Sequence, residues 1–85
     1  MSIKPMFSVR DTASGAFGYP FVAPHVGLAV RAFGDEANGS RGDNDLTRHP
    51  EQFDLYQIGE FDDVTGVVTP LDLPKLVTNA AALKG

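Results

Sequence analysis

The 85-residue chain carries seven basic and eleven acidic side chains, a formal charge of −4, and no cysteine. A domain this small buries only roughly 60% of the surface its unfolded chain exposes, so it has one modest core at most. Without cysteine there is no disulfide framework, thiolate metal site or thiol nucleophile, and the acidic balance argues against bulk electrostatic binding of nucleic acid, leaving a segregated basic patch or base stacking as the routes to it.

In chain order, Met1 to Phe7 hold Lys4 and Pro5 with no apolar run behind them, so no secretory signal is expected. Phe7 and Val9 alternate with Ser8 and Arg10, the two-residue period of a half-buried strand. Thr12 to Gly18 is a turn-rich connection. Tyr19 to Ala23 reads as a second strand, and Pro20, which has no N–H for a ladder, puts it at an edge. Pro24 suits the first turn of a helix. Val26, Ala29, Val30, Phe33 and Ala37 then recur at spacings of three and four, the strongest helical signal in the chain, and Asn38-Gly39 ends it. The mainly apolar stretch Tyr19 to Ala32 is too short, and too broken by Pro20, Pro24, His25 and Arg31, to span a bilayer, so a soluble protein with no membrane partner is expected.

Ser40 to Pro50 is polar and reads as a surface loop pinned by Leu46. In Phe53 to Phe61, Phe53, Leu55, Gly59 and Phe61 share one face while Tyr56 and Ile58 share the other, and a strand apolar on both faces is usually covered on both. Asp62 to Gly66 is a hairpin connection, followed by a return strand at Val67, Val68 and Thr69. The expected fold is α+β: an antiparallel sheet of about four strands in the order β-β-α-β-β, with one main helix packed on one face. Residues 1–70 form the domain, and 71–85 are a C-terminal tail, either a short helix or an extended arm. The expected core is Phe7, Val9, Val26, Val30, Phe33, Leu55, Phe61 and Val67. Because one helix covers one face, Tyr56 and Ile58 need the tail or a second subunit, so a homodimer or higher homo-oligomer is expected.

The two histidines, His25 and His49, lack the convergent partners of a triad or a metal site, and both read as structural or solvated. Asp43-Asn44-Asp45 with Glu51 lacks the glycine that a calcium loop needs for its sharp turn. Gly15 and Gly18 flank Ala16-Phe17 without the following lysine of a phosphate-cradling loop, and the carboxylates Glu60, Asp62 and Asp63 beside a turn read as a wet rim. The expectation is a binding protein and not an enzyme, with no catalytic residues, no metal and no cofactor. The candidate nucleic-acid contacts are Arg10, Arg31, Arg41 and Arg48 for phosphates, and Tyr19, Phe21 and Tyr56 for stacking on bases.

Several short blocks occur in a telling order: Phe7-Ser8-Val9 with Asp11; Ala16-Phe17 and Pro20-Phe21; Arg31-Ala32-Phe33 with Asp35; then His49-Pro50-Glu51 with Phe53, Leu55-Tyr56, Ile58-Gly59, Phe61-Asp62 and Thr65-Gly66. Over about residues 7 to 70 the chain resembles the small nonstructural protein of gokushovirus-like microviruses, icosahedral phages with circular single-stranded DNA. The resemblance implies a viral accessory protein in the cytoplasm of the infected bacterial host. It also implies binding of single-stranded DNA in support of genome replication, at the switch to single-stranded genome synthesis for packaging. It carries no agreed binding residues, and this chain departs from the pattern at 38–48, where Asp43 and Asp45 add acid. The alternative is a protein-interaction module acting on a host replication factor or the viral capsid protein, for which an acidic surface is no handicap.

Overall fold

The alternation around Phe7 and Val9 belongs to a nine-residue strand, β1 (Ile3–Asp11), in a computed structural model of the protein that describes residues 2–85. β1 is the hub of one antiparallel sheet. On one side it pairs with two short strands, β2 (Ala16–Phe17) and β3 (Phe21–Val22), and on the other with β4 (Phe53–Asp62). β4 in turn pairs with β5 (Val68–Asn79), giving the order β2-β1-β4-β5. Of the second strand expected at Tyr19–Ala23 only β3 forms, at the sheet edge, and β2 lies in the stretch Thr12–Gly18 expected to be a turn-rich connection. Gly18-Tyr19-Pro20 separates the two, as an edge proline allows. Register shifts between Met6 and Phe7, and at two places between β4 and β5, bend and curl the sheet.

The helical period at Val26–Ala37 is helix α1 (Val26–Ala37). Pro24 lies outside its first turn. His25 is the N-cap instead, its Nδ1 accepting the Leu28 N–H at 3.3 Å, so His25 satisfies one of the orphan donors of a helix start. Asn38 closes the helix, and Gly39 takes the left-handed φ of +90° that follows it. The helix buries Ala29, Phe33 and Ala37 against Phe7 and Leu55 of the sheet, with Val9, Val30, Phe53 and Val77 packed around them. Small residues on its inner side let it lie close, and Phe33 supplies most of the volume.

Two sequence expectations change here, and the tail takes the extended one of its two alternatives. The polar loop at 40–50 contains a one-turn helix, α2 (Asp45–Arg48), because Asn44 and Thr47 form a reciprocal capping box, and a 3-10 turn at Pro50–Gln52 follows. Leu46 on α2 packs against the core, as expected of a pinned loop. Val26 and Val67 are 39% and 56% exposed, and Phe61 is half-buried outside the core cluster. Val26 is the first residue of α1, and Val67 sits in the turn before β5, so both lie beyond the reach of the helix–sheet contact. Residues 71–85 continue β5 along β4 to Asn79 and then form a 3-10 turn at Ala80–Leu83. Ala80 is fully buried, and Asn38 Nδ2 and Lys84 Nζ tie this end to the helix by bonds to Leu83 O and Ala37 O at 3.0 and 2.8 Å.

Gly59 is needed for the sheet to close at this point. A Cβ there would lie 2.7 Å from the Thr69 carbonyl oxygen, closer than side-chain carbons ever come. Beyond it Ile58 alone on β4 stands against Leu71-Asp72-Leu73-Pro74 on β5, since Gly59 pairs with Pro70 and Gln57 with Lys75. The four residues therefore arch out of the ladder.

Candidate nucleic-acid interface

Antiparallel partners share a face, so the ladder sorts the sheet without further assumption. Phe7, Val9 and Leu55 face α1. Ser8 pairs with Tyr56, Tyr56 with Leu76, and Arg10 with both Asp54 and Phe17, which places all of them on the face the helix leaves open. There the Phe17 ring meets Tyr56 edge-on, with centroids 5.3 Å apart at 64°. The Arg10 guanidinium lies over the Phe17 ring, 5.6 Å from its centroid. Phe17 is 44% exposed. An edge-to-face aromatic pair with a guanidinium over one of its rings sets partly exposed aromatic surface and a cation side by side.

Arg10 has no carboxylate partner among the described residues. Its cross-strand neighbour Asp54 accepts instead from Asn79 Nδ2 at 2.8 Å. Among the same residues the Arg10 Nε is buried without a hydrogen-bond partner. A buried guanidinium nitrogen left without an acceptor is costly.

Tyr19 stands beside this cluster in sequence, two residues beyond Phe17, and is 97% exposed. Its backbone is nevertheless held. The preceding Gly18 donates its N–H to Val9 O at 2.8 Å, and its own carbonyl accepts from Ser8 Oγ at 2.7 Å. Pro20 then fixes φ on the far side. A fully exposed tyrosine on a pinned backbone contributes nothing to the core and costs little entropy when a ring stacks on it.

The structure thus gathers Arg10 and Tyr56 with Phe17 on the open face and leaves Tyr19 fully exposed near them. Phe17 is not among the residues that the sequence singles out for binding. The signal was its place two residues before Tyr19 in an edge strand. Phe21 lies elsewhere, stacked on Phe7 at 5.7 Å beside the core. Arg31 is exposed on α1, on the helix-covered side of the sheet. Arg41 follows the end of α1 and lines a cavity of about 330 Å³ with Val9, Phe21, Phe33 and Glu36. Arg48 is already engaged, 3.2 Å from both Asp43 and Asp45. Asp45 first and Asp43 second raise its pKa above the ordinary value, and the Thr47 hydroxyl, more than Arg48, holds the Asp43 carboxyl below its own.

A second cavity of about 370 Å³ adjoins the first through Val9 and Glu36 and is rimmed by Asp11, Asp45 and Asn44 over Leu46 and Phe53. Among the described residues no group of three or more His, Cys, Asp or Glu side chains is placed to hold a metal ion, and no helix is long and apolar enough to cross a membrane.

A family model described as phage ORF5 protein matches residues 4–83, from the start of β1 to the final 3-10 turn. No curated protein and no solved structure matches the chain.

Proposed function

Because the chain belongs to the phage ORF5 protein family, we propose that it binds single-stranded DNA on the open face of its sheet, in the cytoplasm of the infected bacterial host. The observation that carries this reading is the Arg10–Phe17–Tyr56 cluster, in which a guanidinium without a carboxylate partner lies over the exposed Phe17 ring beside a half-buried Tyr56. Bases stack on such rings without regard to sequence, at about 1–3 kcal/mol each, and the guanidinium takes a phosphate. Duplex DNA hides its base faces, so the same site discriminates in favour of single strands. The resemblance to gokushovirus-like proteins gives the purpose: support of genome replication at the switch to single-stranded synthesis and packaging. The role is binding and not catalysis.

Fluorescence anisotropy with labelled single-stranded and duplex oligonucleotides tests it. Single-stranded DNA binds saturably and duplex weakly. With few free cations the salt dependence is shallow, a slope of about −0.7 per phosphate over about two or three phosphates per subunit. Arg10→Ala and Phe17→Ala weaken binding, whereas Arg48→Ala, whose cation is already paired, leaves it unchanged.

A second reading rests on the adjoining cavities on the helix side. Their apolar floor and the carboxylates Asp11, Glu36 and Asp45 fit a basic, partly apolar peptide from a host replication factor or the capsid protein. No binding of either DNA form at low salt, by a folded sample at tens of micromolar, would put this reading ahead.

A further inference from the structure

Apolar exposure is unevenly distributed over the molecule. Val64, Val67, Val68, Leu73 and Leu76 are 76%, 56%, 52%, 77% and 55% exposed and fall within one stretch whose only charges are Asp72 and Lys75. Among the described residues β5 has β4 as its only neighbour in the sheet, and the arch at Leu71–Pro74 stands out from the ladder at its middle. Exposed apolar surface of this kind, poor in charge, marks an interface.

We propose that this arch is the centre of a two-fold interface with a second copy of the chain. The argument is charge complementarity. When the segment crosses its own copy antiparallel, with the axis between Leu73 and Pro74, Asp72 meets the partner's Lys75 and Lys75 meets the partner's Asp72. The most exposed leucine in the strand then lies next to the axis and is buried twice. An isologous contact needs just such a self-complementary patch.

Pro70 and Pro74 bracket the arch and have no N–H to give a neighbouring strand, so open-ended sheet extension is blocked and side chains make the contact. The same prolines hold the arch stiff, which lowers the entropy lost on docking. A nucleic acid is a poorer occupant, because Lys75 is the one cation of the stretch and no aromatic ring belongs to it. The interface does not depend on DNA binding, although a dimer carries two stacking clusters.

Sedimentation velocity on the full chain without nucleic acid, at tens of micromolar, tests the proposal. The parent sediments at twice the 9.1 kDa chain mass. Leu73→Asp and Asp72→Lys shift it to monomer, each weakening the dimer by roughly tenfold or more, and adding Lys75→Asp to Asp72→Lys restores the dimer. Residues 72, 73 and 75 are exposed, so circular dichroism stays that of the parent throughout. A parent that is monomeric at this concentration overturns the proposal, including one that instead floats with phosphatidylglycerol vesicles. A dimer that survives Leu73→Asp and Asp72→Lys overturns it too, because the interface then lies elsewhere. Failure of DNA binding is read separately, by anisotropy on a monomeric variant.

Discussion

The two faces of the sheet use the same strands for opposite ends. On the covered face Phe7 and Leu55 are fully buried beneath Phe33, and the remaining core positions are mostly alanines that bring helix and sheet close. On the open face, one residue further along each strand, Arg10 and Tyr56 gather around Phe17 and keep part of their surface in solvent. Period-two alternation makes this division possible: a change on one face leaves the other in register. Stability and recognition are thus largely divided between odd and even positions along β1, with the buried Ser8 the exception.

The largest expected effect lies on the covered face. Phe33 is 3% exposed and is the largest side chain that the helix contributes to the core. Phe33→Ala should destabilise the fold by about 3–5 kcal/mol, comparable to the whole stability of a small domain. Thermal or urea unfolding measures this directly; a variant that melts with the parent would mean that the helix does not carry the core. The matching change on the exposed side is Tyr19→Ala. Its loss should leave the melt within about 0.5 kcal/mol of the parent and weaken single-strand binding by about 1–3 kcal/mol. A Tyr19 variant that binds as well as the parent would confine stacking to Phe17 and Tyr56.

These contrasts also show how much could be read in advance. The covered face was legible because periodicity reports burial: the spacing Val26 to Ala37 gave the helix, and Phe7, Phe33 and Leu55 sit where it put them. Edge placement followed from Pro20. The path of β5 was legible in part: the return strand begins where it was read, at Val67 to Thr69, but a short helix and an extended arm both remained open for the rest. Leu73, Leu76, Val77 and Ala80 have helical spacing, and only the pairing of β4 with a long bulged partner, through the clearance that Gly59 provides, makes this segment a strand. The open-face cluster was legible in part. Arg10 and Tyr56 were named from chemistry alone, but Phe17 joins them through cross-strand register, which a linear sequence does not display. Arg48 looked as available as Arg10 until its capping-box neighbours Asp43 and Asp45 claimed it.

A smaller effect connects the two faces. Ser8 is 1% exposed, and its hydroxyl holds the Gly18 carbonyl that precedes Tyr19. Ser8→Ala removes that donor and should cost about 1 kcal/mol of stability. It should also loosen Tyr19 and lower single-strand affinity without touching any group that contacts DNA. Stability falling with affinity unchanged would show that Tyr19 needs no anchoring.

The smallest effect is at the other end of β1, on the same open face. Lys4 pairs in register with Phe61, and its Nζ lies 2.6 Å from Asp63 and 3.0 Å from the Ser2 hydroxyl. Lys4 first and Ser2 second hold the Asp63 carboxyl below its ordinary value of 3.8. A carboxyl that ionises more readily in the folded chain than in the unfolded one stabilises the fold while it is charged. Its contribution is therefore complete above the ordinary value and is lost as pH falls through it toward the depressed one. Both side chains are partly open to water, so the contribution is small and screened by salt. Asp63→Asn should flatten the acid side of the stability profile below about pH 4 and leave the profile near neutrality almost unchanged. It also frees Lys4 on the open face. If single-strand affinity rises in this variant, with a steeper salt dependence, the DNA path runs the length of the face; if affinity is unmoved, the path is confined to the Arg10 end.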